Sequence, residues 1–83
     1  MDRNEIFEKI VLMFTDELEL EMPEKLDESI NLSDDLGLNS ILLVQLIVHL
    51  ENEFNIAISE EVITKDNFVT IKNLIDLIIK MQK

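Results

Sequence analysis

Apolar residues recur along this chain at three- and four-residue steps, the spacing of amphipathic helices. The first such run predicts a helix from about residue 4 to residue 18. A long polar connection follows over residues 19–39, and connections of this length are usually functional or contain a helical turn. We expect four apolar residues to anchor it to the core. The predicted stripe of the first helix is Ile6, Phe7, Ile10, Val11, Phe14 and Leu18, and the predicted anchors are Leu26, Ile30, Leu32 and Leu36.

The second half of the chain predicts two more helices and a short helical turn. One helix runs from about Ser40 to Phe54, a break follows at Asn55, and the brief turn lies near residues 59–63. Thr70 is a suitable N-cap for the last helix. Its inward-facing residues are Ile71, Leu74, Ile75 and Ile78. With little strand-like alternation, the pattern predicts a single all-α domain over residues 1–83, a bundle of three main helices and one short helix.

The predicted second helix is apolar nearly all round, because no Asp, Glu, Lys or Arg occurs between Leu36 and Leu50. Its core stripe would be Leu43, Leu46, Ile47, Leu50 and Phe54, and a second stripe would be Ile41, Val44 and Val48. Either the helix is buried on several sides, or the second stripe is exposed. We expect an exposed docking surface for a protein partner, formed by Ile41, Val44 and Val48 together with Leu42 and Gln45.

The composition is that of one small folded domain. The chain has 83 residues, 47% of them apolar, with one Gly and one Pro, which argues against disorder. It has no Cys, so a disulfide framework and a cysteine nucleophile are excluded and any working thiol must be imported. The first residues lack the basic region and long apolar run of a signal peptide, and no apolar stretch has the length of a membrane span. We therefore expect a cytoplasmic, monomeric protein.

The charge is strongly negative and unevenly distributed. The formal net charge is −11, and residues 1–35 hold 12 of the 18 acidic residues but only 3 of the 7 basic ones. Such a balance argues against nucleic acid and anionic membranes as partners and favours basic ones.

The segment before the second helix offers the best candidate for chemistry. It reads Asp35-Leu36-Gly37-Leu38-Asn39-Ser40. Gly37 permits a turn that other residues resist, and both Asn39 and Ser40 are suitable N-caps. A phosphate ester on Ser40 would be stabilised by the unpaired N–H groups and the dipole of the helix N-terminus. The alternative is that Ser40 only caps the helix.

This segment resembles the phosphopantetheine attachment site of acyl and peptidyl carrier proteins, whose pattern is Asp-Leu-Gly-x-Asp-Ser-Leu/Ile. The resemblance extends from about residue 5 to residue 79, and Asn39 replaces the second aspartate of the pattern. It implies an acyl-carrier-protein-like four-helix bundle with 4′-phosphopantetheine attached covalently to Ser40, and with Gly37 and Asn39 as part of that site. Substrates would be held as thioesters on the arm. The implied partners are a phosphopantetheinyl transferase and the enzymes that load and condense acyl or aminoacyl units.

Within this family the chain departs from the fatty-acid branch, where the second helix bears carboxylates on its exposed face. Ile41 and Asp66-Asn67-Phe68 are more similar to carriers of polyketide and nonribosomal peptide biosynthesis, and residues 51–56 resemble D-alanyl carrier proteins. We expect a polyketide or nonribosomal type, with a D-alanyl or fatty-acid carrier as the alternative. The carried unit, the pathway and the transferase that accepts Asn39-Ser40 stay open.

An enzymatic role is not expected. His49 is the only histidine, and on a helix it lies about 900° and about 13 Å from Ser40, so it cannot activate that hydroxyl. The paired acids Asp34-Asp35 and Glu60-Glu61 lack calcium-loop spacing, and we expect no metal site. The remaining hypothesis from another class is a helical adaptor that binds a protein through the second helix and never carries an arm.

Overall fold

The computed structural model describes residues 2–64 and 67–82. It contains three α-helices: α1 (Arg3–Leu12), α2 (Ser40–Phe54) and α3 (Ile71–Met81). A π-helical turn (Met13–Glu17) continues α1, and a 3₁₀ turn (Glu60–Val62) lies between α2 and α3. The prediction of an all-α fold with three main helices and one short one is confirmed. Asp66, used in the comparison with carrier families, lies outside the described residues.

The first helix differs from its prediction at its end. It starts where the Asp2 carboxylate accepts a hydrogen bond from the Glu5 amide at 2.9 Å. The predicted helix to residue 18 instead widens into the π turn, in which the Leu18 amide donates to the Met13 carbonyl at 3.0 Å. In this wider turn Met13 is buried in the core, although it was not in the predicted stripe. Ile6, Ile10, Phe14 and Leu18 of that stripe are buried, and Phe7 and Val11 are half-buried.

The long connection is held to the start of α3. Its anchors Ile30, Leu32 and Leu36 are buried as predicted. The prediction for Leu26 is wrong, because this side chain is 47% exposed. Backbone pairing explains the difference, since it begins only at Glu28, which accepts from the Lys72 amide at 2.9 Å, and Leu26 precedes the paired segment.

One arginine joins three parts of the chain. The Arg3 guanidinium on α1 donates to Glu28 in the connection and, at 2.7 Å, to Asp76 on α3. Hydrogen bonds to the Glu28 and Asp76 carboxylates raise the pKa of Arg3 above its usual value. Because all three side chains are partly exposed, the two ion pairs stabilise the fold only modestly.

The second and third helices supply much of the core. On α2, Leu46, Leu50 and Phe54 are buried, and Leu43 and Ile47 pack against the core from its edge. The helix ends as predicted at Asn55, which adopts a left-handed conformation with φ of 52°. The four predicted core residues of α3 are buried, as is Leu77.

Thr70 caps α3 as predicted. Its hydroxyl accepts from the Asn73 amide at 3.2 Å, and the Asn73 side chain accepts from the Thr70 amide at 3.0 Å, which completes a capping box. In the part of the chain that the structure describes, no helix has both the length and the apolar character needed to cross a membrane.

Candidate functional site

A tight turn positions the start of α2. The Gly37 amide donates to the Ser33 carbonyl at 3.1 Å, and the Leu38 amide donates to the Leu32 carbonyl at 2.8 Å. Gly37 has φ of 69°, and a Cβ atom placed on it would have no neighbour within 4 Å. The left-handed backbone, and not lack of space, therefore favours glycine here.

Asn39 is the N-cap of α2. Its backbone is extended, with φ of −128°, and its side-chain Oδ1 accepts a hydrogen bond from the Leu42 amide at 3.0 Å. Its carbonyl accepts from the Leu43 amide at 2.8 Å. The sequence left Asn39 and Ser40 as alternative caps, and the structure gives this role to Asn39.

Ser40 is the first residue of α2, and it is exposed. Its hydroxyl has no hydrogen-bond partner among the described residues, and the same holds for the amides of Ser40 and Ile41. These amides form the positive end of the helix dipole, and the first turn of α2 contains no acidic residue. An anionic ester on Ser40 would be stabilised there, typically by about 0.3–1 kcal/mol.

A cleft of about 390 Å³ opens beside Ser40. It is formed by the turn, the start of α2 and the segment between the 3₁₀ turn and α3. Four of its eight lining residues are apolar and four are polar. The lining residues are Ser33, Leu38, Asn39, Ser40, Leu43, Ile63, Thr64 and Phe68.

The second stripe of α2 is exposed, which rules out burial of this helix on all sides. Ile41 is 72% exposed, Val44 62% and Val48 49%. Gln45 is exposed next to them, and Leu42 is half-buried. Three exposed apolar side chains therefore follow Ser40 along the helix. Its role as a docking surface stays a prediction.

The structure places the other candidates apart from Ser40. His49 is half-buried and lines a different cleft, with Asn52 and Glu53 near the end of α2. Within residues 2–64 and 67–82, no three His, Cys, Asp or Glu side chains are grouped as metal ligands. Gly37 shapes the turn but does not line the cleft beside Ser40.

Sequence reasoning did not find most of that cleft. Ile63, Thr64 and Phe68 line it together with Ser33 and Leu38, which lie more than 20 residues earlier in the chain. A periodic pattern detects neighbours on one helix, whereas this cleft is assembled from separate segments.

The chain is similar to known carrier proteins. Residues 8–78 match the family model described as the phosphopantetheine attachment site. The chain is 33% identical over 78 residues to an acyl carrier protein from Thermosynechococcus vestitus, covering 94% of this chain and 93% of that protein. It is 27% identical over 82 residues to the acyl carrier protein AsbD from Bacillus anthracis, covering 99% of this chain and 90% of that protein.

A solved structure has the same fold. The crystal structure of an acyl carrier protein from Thermotoga maritima matches with a TM-score of 0.83 and 30% sequence identity. The match covers 99% of this chain and 92% of that one, so the helices, the connection and the turn before α2 are all included.

Proposed function

Since the chain belongs to the phosphopantetheine attachment family of acyl carrier proteins, we propose that Ser40 is the residue that bears its 4′-phosphopantetheine arm. Membership of this family implies the covalent arm and a phosphopantetheinyl transferase that attaches it. The arm supplies a terminal thiol on which acyl units are held as thioesters. This chain has no Cys of its own, so it needs that thiol.

The assignment rests on one observation, which is that Asn39 and not Ser40 caps α2. Because the Asn39 side chain caps α2, the Ser40 hydroxyl is left exposed and without a partner among the described residues. The free amides at the helix start favour the negative charge of a phosphodiester at this position. The cleft next to Ser40 also offers apolar side chains against which an attached arm can rest.

Ser40 depends on another protein for its activation. Among the described residues, no titratable side chain forms a hydrogen bond to its hydroxyl, and His49 lines another cleft. The transferase therefore has to supply the base that takes the Ser40 proton. We accordingly propose that the protein is a substrate of enzymes and not itself an enzyme. We also propose that it acts as a monomer in the cytoplasm.

For the pathway, we propose carriage of acyl or aminoacyl units in polyketide or nonribosomal-type biosynthesis. The support is the departure from the fatty-acid pattern: Ile41 after the serine, and an α2 without Asp, Glu, Lys or Arg up to Leu50. The loading and condensing enzymes would dock on the exposed stripe of Ile41, Val44 and Val48, flanked by Leu42 and Gln45. A D-alanyl or fatty-acid carrier is the alternative.

Intact-mass spectrometry tests the attachment site. Incubation with coenzyme A, magnesium and a broad-specificity phosphopantetheinyl transferase should add one arm per chain. Ser40→Ala should add none, whereas Ser33→Ala should load normally, because Ser33 is an exposed serine lining the same cleft. Wild-type chain that stays unmodified while a control carrier is loaded would instead favour the adaptor hypothesis. Arm attachment to Ser40→Ala would reject the site.

A further inference from the structure

Two adjacent clefts lie on a face remote from Ser40, formed by α1, the π turn, the connection and the end of α2. Leu12 forms a wall of both clefts. From Ser40 to Glu53 the helix rises about 20 Å, at about 1.5 Å per residue. A molecule bound at this face would therefore leave Ser40 accessible.

The first cleft is apolar. It has a volume of about 520 Å³ and is lined by Phe7, Val11, Leu12 and Leu26, with Asn4 and Glu8 at its edge. Leu12 is 58% exposed and Leu26 47%, although both are large aliphatic side chains. Leu26 precedes the part of the connection that pairs with the start of α3, and Leu12 lies on an exposed face of α1.

The second cleft is acidic. Its volume is about 360 Å³, and its charged residues are Asp16, Glu17 and Glu53 against Lys9. None of these three carboxylates forms an ion pair with another described residue. They are not grouped as metal ligands in the described part of the chain either. Carboxylates spread along a cleft suit the long, mobile cations of Lys and Arg better than a compact ion.

We propose that these two clefts bind a basic amphipathic helix of a partner protein. One aliphatic or aromatic side chain of that helix fills the cleft between Leu12 and Leu26. A neighbouring Lys or Arg reaches Asp16, Glu17 and Glu53 across Leu12. The apolar cleft and the acidic cleft are adjacent, so a partner that fits both must carry an apolar side chain beside a Lys or Arg. A purely apolar partner would leave the acidic cleft without a cation, and a purely cationic one would leave the apolar cleft unfilled.

The test uses two synthetic amphipathic peptides, one with Leu and Phe on its apolar face and Lys beside them, the other with Gln for every Lys. Each is titrated into the intact chain and followed by NMR and calorimetry. The Lys peptide should shift the Leu12 and Leu26 methyl signals and should bind at least about tenfold more tightly than the Gln peptide. Leu12→Ser should weaken binding about tenfold, and Val69→Ser, a similar apolar-to-polar change at an exposed position elsewhere, should not.

Charge-matched variants distinguish binding of the Lys peptide at the acidic cleft from its general attraction to a negatively charged chain. Asp16→Asn with Glu17→Gln should weaken binding several-fold more than Glu60→Gln with Glu61→Gln, which removes the same charge from exposed residues elsewhere. Equal effects of the two double variants, equal binding of both peptides, or shifts centred on Ile41, Val44 and Val48 would overturn the proposal. So would a dimer that Leu12→Ser dissociates, or Leu12-dependent binding to phosphatidylcholine vesicles in place of the Lys peptide.

Discussion

The surface around Ser40 and the surface of the first half of the chain are built from different chemistry. On α2, no Asp, Glu, Lys or Arg precedes Glu51, and the exposed large apolar side chains are Ile41, Val44 and Val48. Residues 1–35 instead hold 12 of the 18 acidic residues, and their exposed leucines lie beside carboxylates. Along the sequence, three exposed apolar side chains thus follow the proposed attachment residue, and most of the negative charge precedes it.

This separation has an electrostatic benefit for the proposed modification. A phosphodiester on Ser40 adds negative charge to a chain that already carries −11. Repulsion between like charges falls with distance and with screening, so carboxylates far from Ser40 oppose the new charge less than neighbouring ones would. The absence of Asp and Glu between Leu36 and Leu50 would therefore limit the repulsion of an anionic group on Ser40.

The largest expected effect is a difference in folding stability between substitutions on the buried and the exposed face of α2. Leu50→Ala should lower the free energy of unfolding by about 2–5 kcal/mol, because Leu50 is fully buried. Val44→Ala should change it by less than about 0.5 kcal/mol, since Val44 is largely exposed. Urea denaturation of both variants measures this. A Val44→Ala cost close to that of Leu50→Ala would make the exposed stripe part of the core.

The next effect concerns recognition on α2. Val44→Asp and Val48→Asp should slow acylation by the loading enzyme at least about fivefold, since truncating or charging an interface anchor commonly costs more than ~1 kcal/mol. The helical circular dichroism should be unchanged, and added salt should weaken the wild-type reaction only modestly.

Ala57→Asp is the control for charge in that experiment, because it adds the same charge at another exposed position. If it slows acylation as much as Val44→Asp does, then net charge and not the apolar stripe determines recognition. A steep loss of acylation with salt would instead assign recognition to the acidic connection.

A smaller effect is expected at the turn before α2. Gly37→Ala should cost about 1 kcal/mol of stability, because φ of 69° strains any residue with a Cβ even where space is open. Gly37→Asn should cost less, because Asn tolerates the left-handed region. Thermal denaturation compares the two. Equal stabilities of Gly37→Ala and wild type would show that the turn can change its conformation without loss.

The smallest effect is that of salt on the acidic half. The melting temperature should rise modestly from low to moderate ionic strength, because salt screens the repulsion among the acidic residues of the first half. Neutralising Glu8 and Glu24 to Gln should reduce that rise more than neutralising Glu60 and Glu61. A melting temperature that falls with salt would mean that attractive pairs such as Arg3 with Glu28 outweigh the repulsion.

Much of the helical framework could be predicted because its determinants are local. The start of α3 follows from Thr70, the end of α2 from Asn55, and the core stripes from a period of 3.6 residues. The π turn could not be predicted, since a regular period does not indicate where a helix widens. Leu26 was misplaced because an isolated apolar residue in a connection carries no periodic information.

Only the part of the candidate site that is contiguous in the sequence could be predicted. Gly37, Asn39 and Ser40 lie within four residues, so a sequence pattern can identify them. The choice of Asn39 over Ser40 as the cap required the hydrogen bond to the Leu42 amide. The cleft beside Ser40 required tertiary structure, which brings Ile63 and Phe68 to the same cleft as the start of α2.

The cap made by Asn39 also bears on how the protein ages chemically. Asparagine followed by a small residue such as serine can deamidate when the next backbone amide attacks the side-chain carbonyl carbon. The hydrogen bond from the Leu42 amide holds that side chain in place, so folded α2 should protect it. Heating or prolonged unfolding would remove this protection and yield a mixture of two products at position 39. One is aspartate, which is the residue of the family pattern. The other is isoaspartate, whose lengthened backbone would displace Ser40.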